Sequence, residues 1–258
     1  MAIHDRDFVQ SLERGLAVIE AFSDQRPAMT AGRIAEHTNL SRAACRRFLV
    51  TLERLGYVSR DAQGVYRLRP AVLRLGYAYL SSQELPWIVR PYLEEIARQH
   101  PVSTSLGVLD GLDTVFLFRV QLSGHLSTRL SVGSRLPATT TAMGRVLLAG
   151  MSDTELEAHL ARADLRQWTR HTVTQRDAVR RRVMDARRVG YSVLDQEITP
   201  NVRALAVPIR WRSGRTAGSI CVGFYDSRVP TAEMVERFLP LLHRAAERID
   251  AALAPRDR

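Results

Sequence analysis

Lysine is absent: all 37 basic residues of this 258-residue sequence are arginine, and the formal net charge is +10. The absence reads as a compositional bias, and a basic balance by itself implies only an anionic partner. Cysteine is scarce. Cys45 and Cys221 lie far apart and form neither a disulfide framework nor a metal-ligand spacing, so both read as reduced thiols. No stretch of about 18 apolar residues is present, which excludes a membrane-spanning helix and favours a cytoplasmic protein without a membrane partner. The opening Met1-Ala2-Ile3-His4-Asp5-Arg6-Asp7 carries acids and no apolar stretch, so no signal peptide is expected. His100, His125, His159, His171 and His243 lack zinc-ligand spacing, and no metal is expected. A nucleophile elbow, a phosphate loop and a dinucleotide fingerprint are missing too. The expectation is a chain with no catalytic residue and no cofactor.

What is present is unevenly placed. Between Ser41 and Arg69 stand seven arginines (42, 46, 47, 54, 60, 67 and 69) against Glu53 and Asp61, half of the whole chain's excess in 29 residues. The same region has a local pattern. Leu12, Leu16, Ile19 and Phe22 recur at helical spacing over 11–22, with Ser11 placed to cap. After Pro27, Thr30 caps a short helix over 31–37. Asn39-Leu40 makes a turn, and Ser41 caps a third helix that Gly56 stops. Two strand-like pieces, 57–60 and 65–68, flank Asp61-Ala62-Gln63-Gly64, a hairpin signal. Three helices and a hairpin in this order predict a winged helix-turn-helix.

A helix that reads DNA needs a buried face and a basic face narrow enough for a major groove about 12 Å wide. Ala44, Phe48, Leu52 and Leu55 fall on one side of the third helix, and Arg42, Ala43, Arg46 and Arg47 on the other, near the N-terminus. Arg60 and Arg67 flank the hairpin turn, where a wing meets backbone or minor groove. Such arginines can also form nothing more than a solvated face. Their coincidence with the helix order and the hairpin favours DNA binding. The candidate contacts are Thr30, Ser41, Arg42, Ala43, Arg46, Arg47, Arg60 and Arg67.

From residue 70 to 84 the chain reads as a linker helix with a stripe of Leu73, Leu75, Tyr77 and Leu80. Beyond residue 101, strand-like segments over 104–109, 114–120, 126–132, 191–196, 202–209 and 217–224 alternate with helical ones over 141–149, 152–162, 174–189 and 230–253. That pattern predicts an α+β class, with a sensor-like C-terminal domain of one sheet with helices at its sides. The expected division is 8–69 for DNA binding, 70–84 for the linker and 85–255 for the sensor domain.

The chain resembles the IclR family of regulators. Ser11-Leu12-Glu13-Arg14-Gly15-Leu16 is similar to the family's opening helix, and 40–58 to its recognition helix and first wing strand. In the second half, 131–138, Thr141-Ala142-Met143-Gly144-Arg145 and 190–209 resemble the PcaR/PcaU/PobR branch, which controls breakdown of aromatic acids. The resemblance spans roughly 10–253. It implies a homodimer or tetramer on a palindromic operator in double-stranded DNA, with RNA polymerase a further candidate partner. It also implies an α/β effector-binding (GAF-like) domain for a small organic acid, with pocket positions at His125, Thr128, Leu136, Ala142, Met143, Leu194, Ala204, Cys221 and Gly223. Relatives often carry glycine two residues before Arg203, where this chain has Asn201. Cys221 and Gly223 stand where some relatives have small polar side chains, which suits a ligand larger than a two-carbon acid.

Some residues carry two readings. Cys221 reads as packing at the pocket wall, with redox sensing the alternative. His125 reads equally as pocket or loop. Glu197 reads as a loop anchor through Asn201 or Arg203, and Arg176, Arg180, Arg181, Arg182, Arg187 and Arg188 as a solvated helix face. Thr139-Thr140-Thr141 supply capping hydroxyls at the start of a helix, whose free amides and dipole would hold a carboxylate. Small side chains at Ala142 and Gly144 would admit the ligand. The competing functions are a redox-responsive or ligand-independent DNA binder and an enzyme with a DNA-binding appendage.

Overall fold

The computed structural model describes residues 7–121, 130–225 and 230–256. The chain divides into two compact units, Met1–Ser81 and Ser82–Arg258.

The first unit holds α1 (Gln10–Glu20), β1 (Ala28–Thr30), α2 (Ala31–Thr38), α3 (Arg42–Arg54), β2 (Val58–Arg60) and β3 (Val65–Leu68). Thr30 caps α2 by accepting from the Arg33 amide, and Ser41 caps α3 by accepting from the Ala44 amide. Asn39 takes the left-handed conformation between them (φ 53°), and Gly56 does so after α3 (φ 80°). In the hairpin turn the Asp61 carboxylate accepts from the amides of Gln63 and Val65. Here the structure departs from the expected pattern. Val9, not Ser11, precedes α1 and provides no side-chain cap. Leu12 and Leu16 are exposed; the expected Phe22 is buried, Ile19 packs against the core, and Val18 and Ala21 join them there. On α3 the buried face is Cys45, Leu49 and the expected Leu52; Phe48 is partly buried and packs against this core, Ala44 is half-buried, and Leu55 is exposed. The strand β1 was not foreseen. It pairs antiparallel with β3, giving a three-stranded sheet in the order β1-β3-β2. A 3₁₀ turn (Pro70–Val72) then leads into α4 (Leu73–Ser82), which buries none of its side chains within the chain.

The second unit is a six-stranded antiparallel sheet in the order β6-β5-β4-β9-β8-β7. Its strands are β4 (Ser103–Asp110), β5 (Asp113–Val120), β6 (Arg135–Pro137), β7 (Ser192–Asp195), β8 (Arg203–Arg210) and β9 (Thr216–Phe224). The helices are α5 (Leu85–Gln99), α6 (Ala142–Ala149), α7 (Asp153–Arg162), α8 (Arg176–Val189) and α9 (Thr231–Leu253). Register sorts the strands into two faces, because alternate side chains point opposite ways. Leu106, Leu205, Val207, Ile220 and Val222 share one face and are fully buried. Phe116, Leu194, Ala206 and Cys221 occupy the other, packed with Ala142, Met143 and Val146 of α6. The strand expected over 126–132 lies mostly outside the described residues, and the strand beside β5 is β6.

One irregularity matters for the site. Leu106 opposes Phe118, but the next residue, Gly107, opposes Phe116, so β5 carries Leu117 as an extra residue. A bulge of this kind reverses the alternation beyond it.

Candidate nucleic-acid interface and effector pocket

On the first unit, Thr30, Ser41, Arg42, Ala43, Arg46, Arg47, Arg60 and Arg67 are all exposed. The hydroxyls of Thr30 and Ser41 are committed to capping. None of the five arginines in this set joins an ion pair among the described residues. Arg60 lies over the Tyr66 ring at 5.8 Å. Arg42 and Arg46, one helical turn apart, open α3 with guanidiniums that no carboxylate neutralises, a chemistry suited to guanine edges and phosphates.

On the second unit, the face of the sheet under α6 opens into a cavity. Leu136, Ala142, Met143, Leu194, Ala204, Cys221 and Gly223 all line it. These are the seven described members of the predicted pocket. His125 and Thr128 lie outside the described residues. The space between the walls is about 660 Å³, open solvent at the mouth included. Register explains the convergence. Leu194 opposes Ala204, Ala204 opposes Gly223, and Gly223 opposes Ser103, so one row of four strands carries the floor. Small residues in that row leave the room.

Sequence reasoning missed Phe116, Arg119, Ile198, Thr199, Val202 and Tyr225, which also line the cavity. Arg119 is the most consequential. Its Nη1 donates to Ser105 Oγ at 3.0 Å, while its Nε is buried with no partner among the described residues. Burial presses its pKa below the usual arginine value, with nearby Cys221 and Tyr225 opposing. The one available signal was a charged residue inside the apolar run Val115-Phe116-Leu117-Phe118-Arg119-Val120.

Other expectations are corrected. Glu197 does not anchor its loop through Asn201 or Arg203. It forms a buried two-pronged ion pair with Arg145 of α6, at 2.7 and 2.6 Å, and also accepts from the Val173 amide. Arg203 pairs with Asp195 at 2.6 Å, and this hydrogen bond holds the Asp195 carboxyl below its ordinary range. Asn201 adopts φ 63°, a left-handed conformation that asparagine tolerates, so the loop keeps a glycine-like bend without glycine. Gly144 is not an opening for a ligand. A Cβ there would lie 2.1 Å from the carbonyl oxygen of Ala138, so glycine serves the close packing of the 3₁₀ turn Ala138–Thr140 on α6. Thr141 caps α6 by accepting from the Gly144 amide at 2.9 Å and sits 3.1 Å from the Thr114 hydroxyl. The α8 arginines are partly engaged: Arg180 pairs with Glu157, Arg187 with Asp153 and Arg188 with Asp185. Cys221 is buried and its thiol is pushed up to about 11, chiefly by burial. A thiol so placed is a poor nucleophile, which favours packing over redox sensing. Cys45 is likewise buried, its Sγ 3.5 Å from the Ala31 carbonyl oxygen, and burial raises its pKa. Among the described residues no helix is long and apolar enough to cross a membrane, and no cluster of possible metal ligands occurs.

Comparison with known proteins shows the family of the chain. Residues 11–62 match the family model described as the IclR helix-turn-helix domain, and 77–251 match the model described as bacterial transcriptional regulator IclR, C-terminal. The chain is 41% identical over 243 residues to the Pca regulon regulatory protein of Pseudomonas putida, covering 94% of this chain and 83% of that protein. It is 31% identical to the p-hydroxybenzoate hydroxylase transcriptional activator of Acinetobacter baylyi, over 96% of this chain and 93% of that one. Among solved structures, an IclR homologue from Microbacterium hydrocarbonoxydans complexed with 4-hydroxybenzoate superposes with a TM-score of 0.76 at 26% identity, covering 94% of this chain and 98% of the other. The first two are named as regulatory proteins, one of them a transcriptional activator. This chain belongs to the IclR family: it is a DNA-binding transcription regulator whose C-terminal domain takes a small-molecule effector.

Proposed function

We propose that this regulator binds a palindromic operator as a homodimer or tetramer in the cytoplasm and responds to a small aromatic or related carboxylic acid held in the cavity beneath α6. Residues 8–69 read DNA through α3 and the β2–β3 wing, 70–84 link, and 85–255 sense the ligand. Contact with RNA polymerase is the route by which the operator complex would act on a promoter. The observation that carries the reading is the convergence of Leu136, Ala142, Met143, Leu194, Ala204, Cys221 and Gly223 on one cavity with apolar walls. An aromatic ring suits such walls, because it buries apolar area without leaving polar groups unpaired. The ligand class is further supported by the names of the relatives above and by the 4-hydroxybenzoate complex of the Microbacterium hydrocarbonoxydans homologue.

Titration calorimetry on the full chain with 4-hydroxybenzoate tests this. Binding is expected in the native chain, together with a shift in affinity for promoter DNA flanking its own gene. Ala142→Trp, which fills the cavity, should weaken acid binding by about tenfold or more, the effect of overpacking a preformed site by 1–3 kcal/mol. Unchanged affinity in that variant would place the ligand elsewhere.

A further inference from the structure

Arg119 stands on the wall of an apolar cavity, and no carboxylate among the described residues pairs with it. Its position follows from the bulge in β5. Strict alternation from Thr114 and Phe116 would set Phe118 on the cavity side and Arg119 on the far side. The extra Leu117 reverses the count, and Arg119 comes opposite Ser105, whose own partner across β9 is Cys221. Ser105 holds the guanidinium through Nη1 at 3.0 Å, and the Phe116 ring lies 5.9 Å from it. The Nε donor is buried and has no partner among the described residues. Buried polar groups in native proteins are almost always satisfied, and bulges beside sites commonly serve to re-aim a side chain. The other arginine among the described residues that line the cavity, Arg203, is held by Asp195 at 2.6 Å. The amide end of α6 is capped by Thr141.

We propose that Arg119 is the carboxylate-binding residue of the pocket: its guanidinium pairs with the anionic end of an aromatic acid whose ring packs between Phe116, Leu136, Met143 and Leu194. This assignment rests on the reading of the cavity as the effector site. It places the anion at the β5 bulge rather than at the start of α6. It also defines what the pocket selects, since a planar guanidinium fork matches a carboxylate and leaves a neutral amide with no charge to meet.

The test compares 4-hydroxybenzoate with its primary amide, 4-hydroxybenzamide, by titration calorimetry on the full chain. The native protein should bind the acid about tenfold or more tightly than the amide. Arg119→Gln should bring the two within about twofold of one another, and Arg119→Lys, which keeps the charge but not the fork, should retain part of the preference. Without ligand, Arg119→Gln should melt at or above the native temperature, since it removes a buried charge with no carboxylate partner among the described residues. An Arg119→Gln chain that keeps the full preference for acid overturns the assignment while leaving the pocket reading intact. A fall in melting temperature of several degrees with equal loss of acid and amide binding shows a structural role and also overturns it. If Ala142→Trp binds the acid as tightly as the native chain, or if the native chain binds neither compound, the pocket reading fails and this assignment fails with it.

Discussion

Arg145 and Glu197 are fifty-two residues apart and meet as a buried pair with 1% and 7% of their side chains exposed. Two charges taken out of water are tolerable only when each is fully engaged. Here Arg145 also donates from Nε to the Thr139 carbonyl, and Glu197 accepts from the Val173 amide, so the pair ties α6 to two loops at once. One of those loops contributes Ile198 and Thr199 to the cavity. Glu197→Gln removes the negative partner and leaves the arginine buried, at a cost of about 3–5 kcal/mol. Urea unfolding should show this as a lower midpoint with an unchanged slope. The paired replacement Arg145→Met with Glu197→Leu should recover most of the loss, because two apolar side chains leave no charge unmatched. A single variant as stable as the native chain would mean that the pair contributes nothing to the fold.

At the scale of the element, α3 is organised by its cap and its two faces. Ser41 orients the first turn, Cys45, Leu49 and Leu52 bury one side, and Arg42, Ala43, Arg46 and Arg47 stand clear on the other. The wing is pinned by Asp61, which satisfies two turn amides, and it presents Arg60 and Arg67 on either side. These positions suit different contacts. Arg42→Ala or Arg46→Ala should relax base preference at a cost of about 1–3 kcal/mol each. Arg60→Ala should weaken binding to every sequence to a similar degree and flatten the dependence on salt. Equal losses on specific and random duplexes for all three variants, measured by fluorescence anisotropy, would mean that α3 touches only phosphate.

For the whole molecule, the first unit has its own buried cluster, from Val18 through Ile34, Cys45 and Leu49 to Val58 and Tyr66. It therefore has the means to fold alone. Reading a palindrome needs two such units held one helical turn, or a multiple, apart. The segment 1–82 is expected to bind DNA weakly, and the full chain to bind a palindrome tightly. Footprinting with the full chain should show two symmetric half-sites. A single asymmetric footprint from a monomer would contradict the proposed assembly.

The amino-acid sequence determined what depends on neighbours along the chain. Thr30 and Ser41 cap, Gly56 stops, and the hairpin forms where Asp61 and Gly64 allow it, because each device acts within four residues of itself. The clustered arginines were legible for the same reason. Seven cavity residues were named through resemblance, and strand register together with the packing of α6 on the sheet brings them to one cavity. Tertiary structure alone decided which of two adjacent helical stripes faces inward, since Leu12 and Leu16 fit the periodicity of α1 as well as Val18 and Ala21 do, yet Val18 and Ala21 are buried in the cluster with residues of α2 and α3 while Leu12 and Leu16 are exposed. It decided the pairing of β1, a three-residue strand whose hydrogen bonds come from β3. It also decided Glu197 against Arg145, a contact across a long chain separation that no local pattern encodes. The facing of Arg119 belongs here as well. Period-two counting points it away from the cavity, and only the mismatch between β4 and β5 turns it in, because a bulge is a property of two strands in register and not of either one.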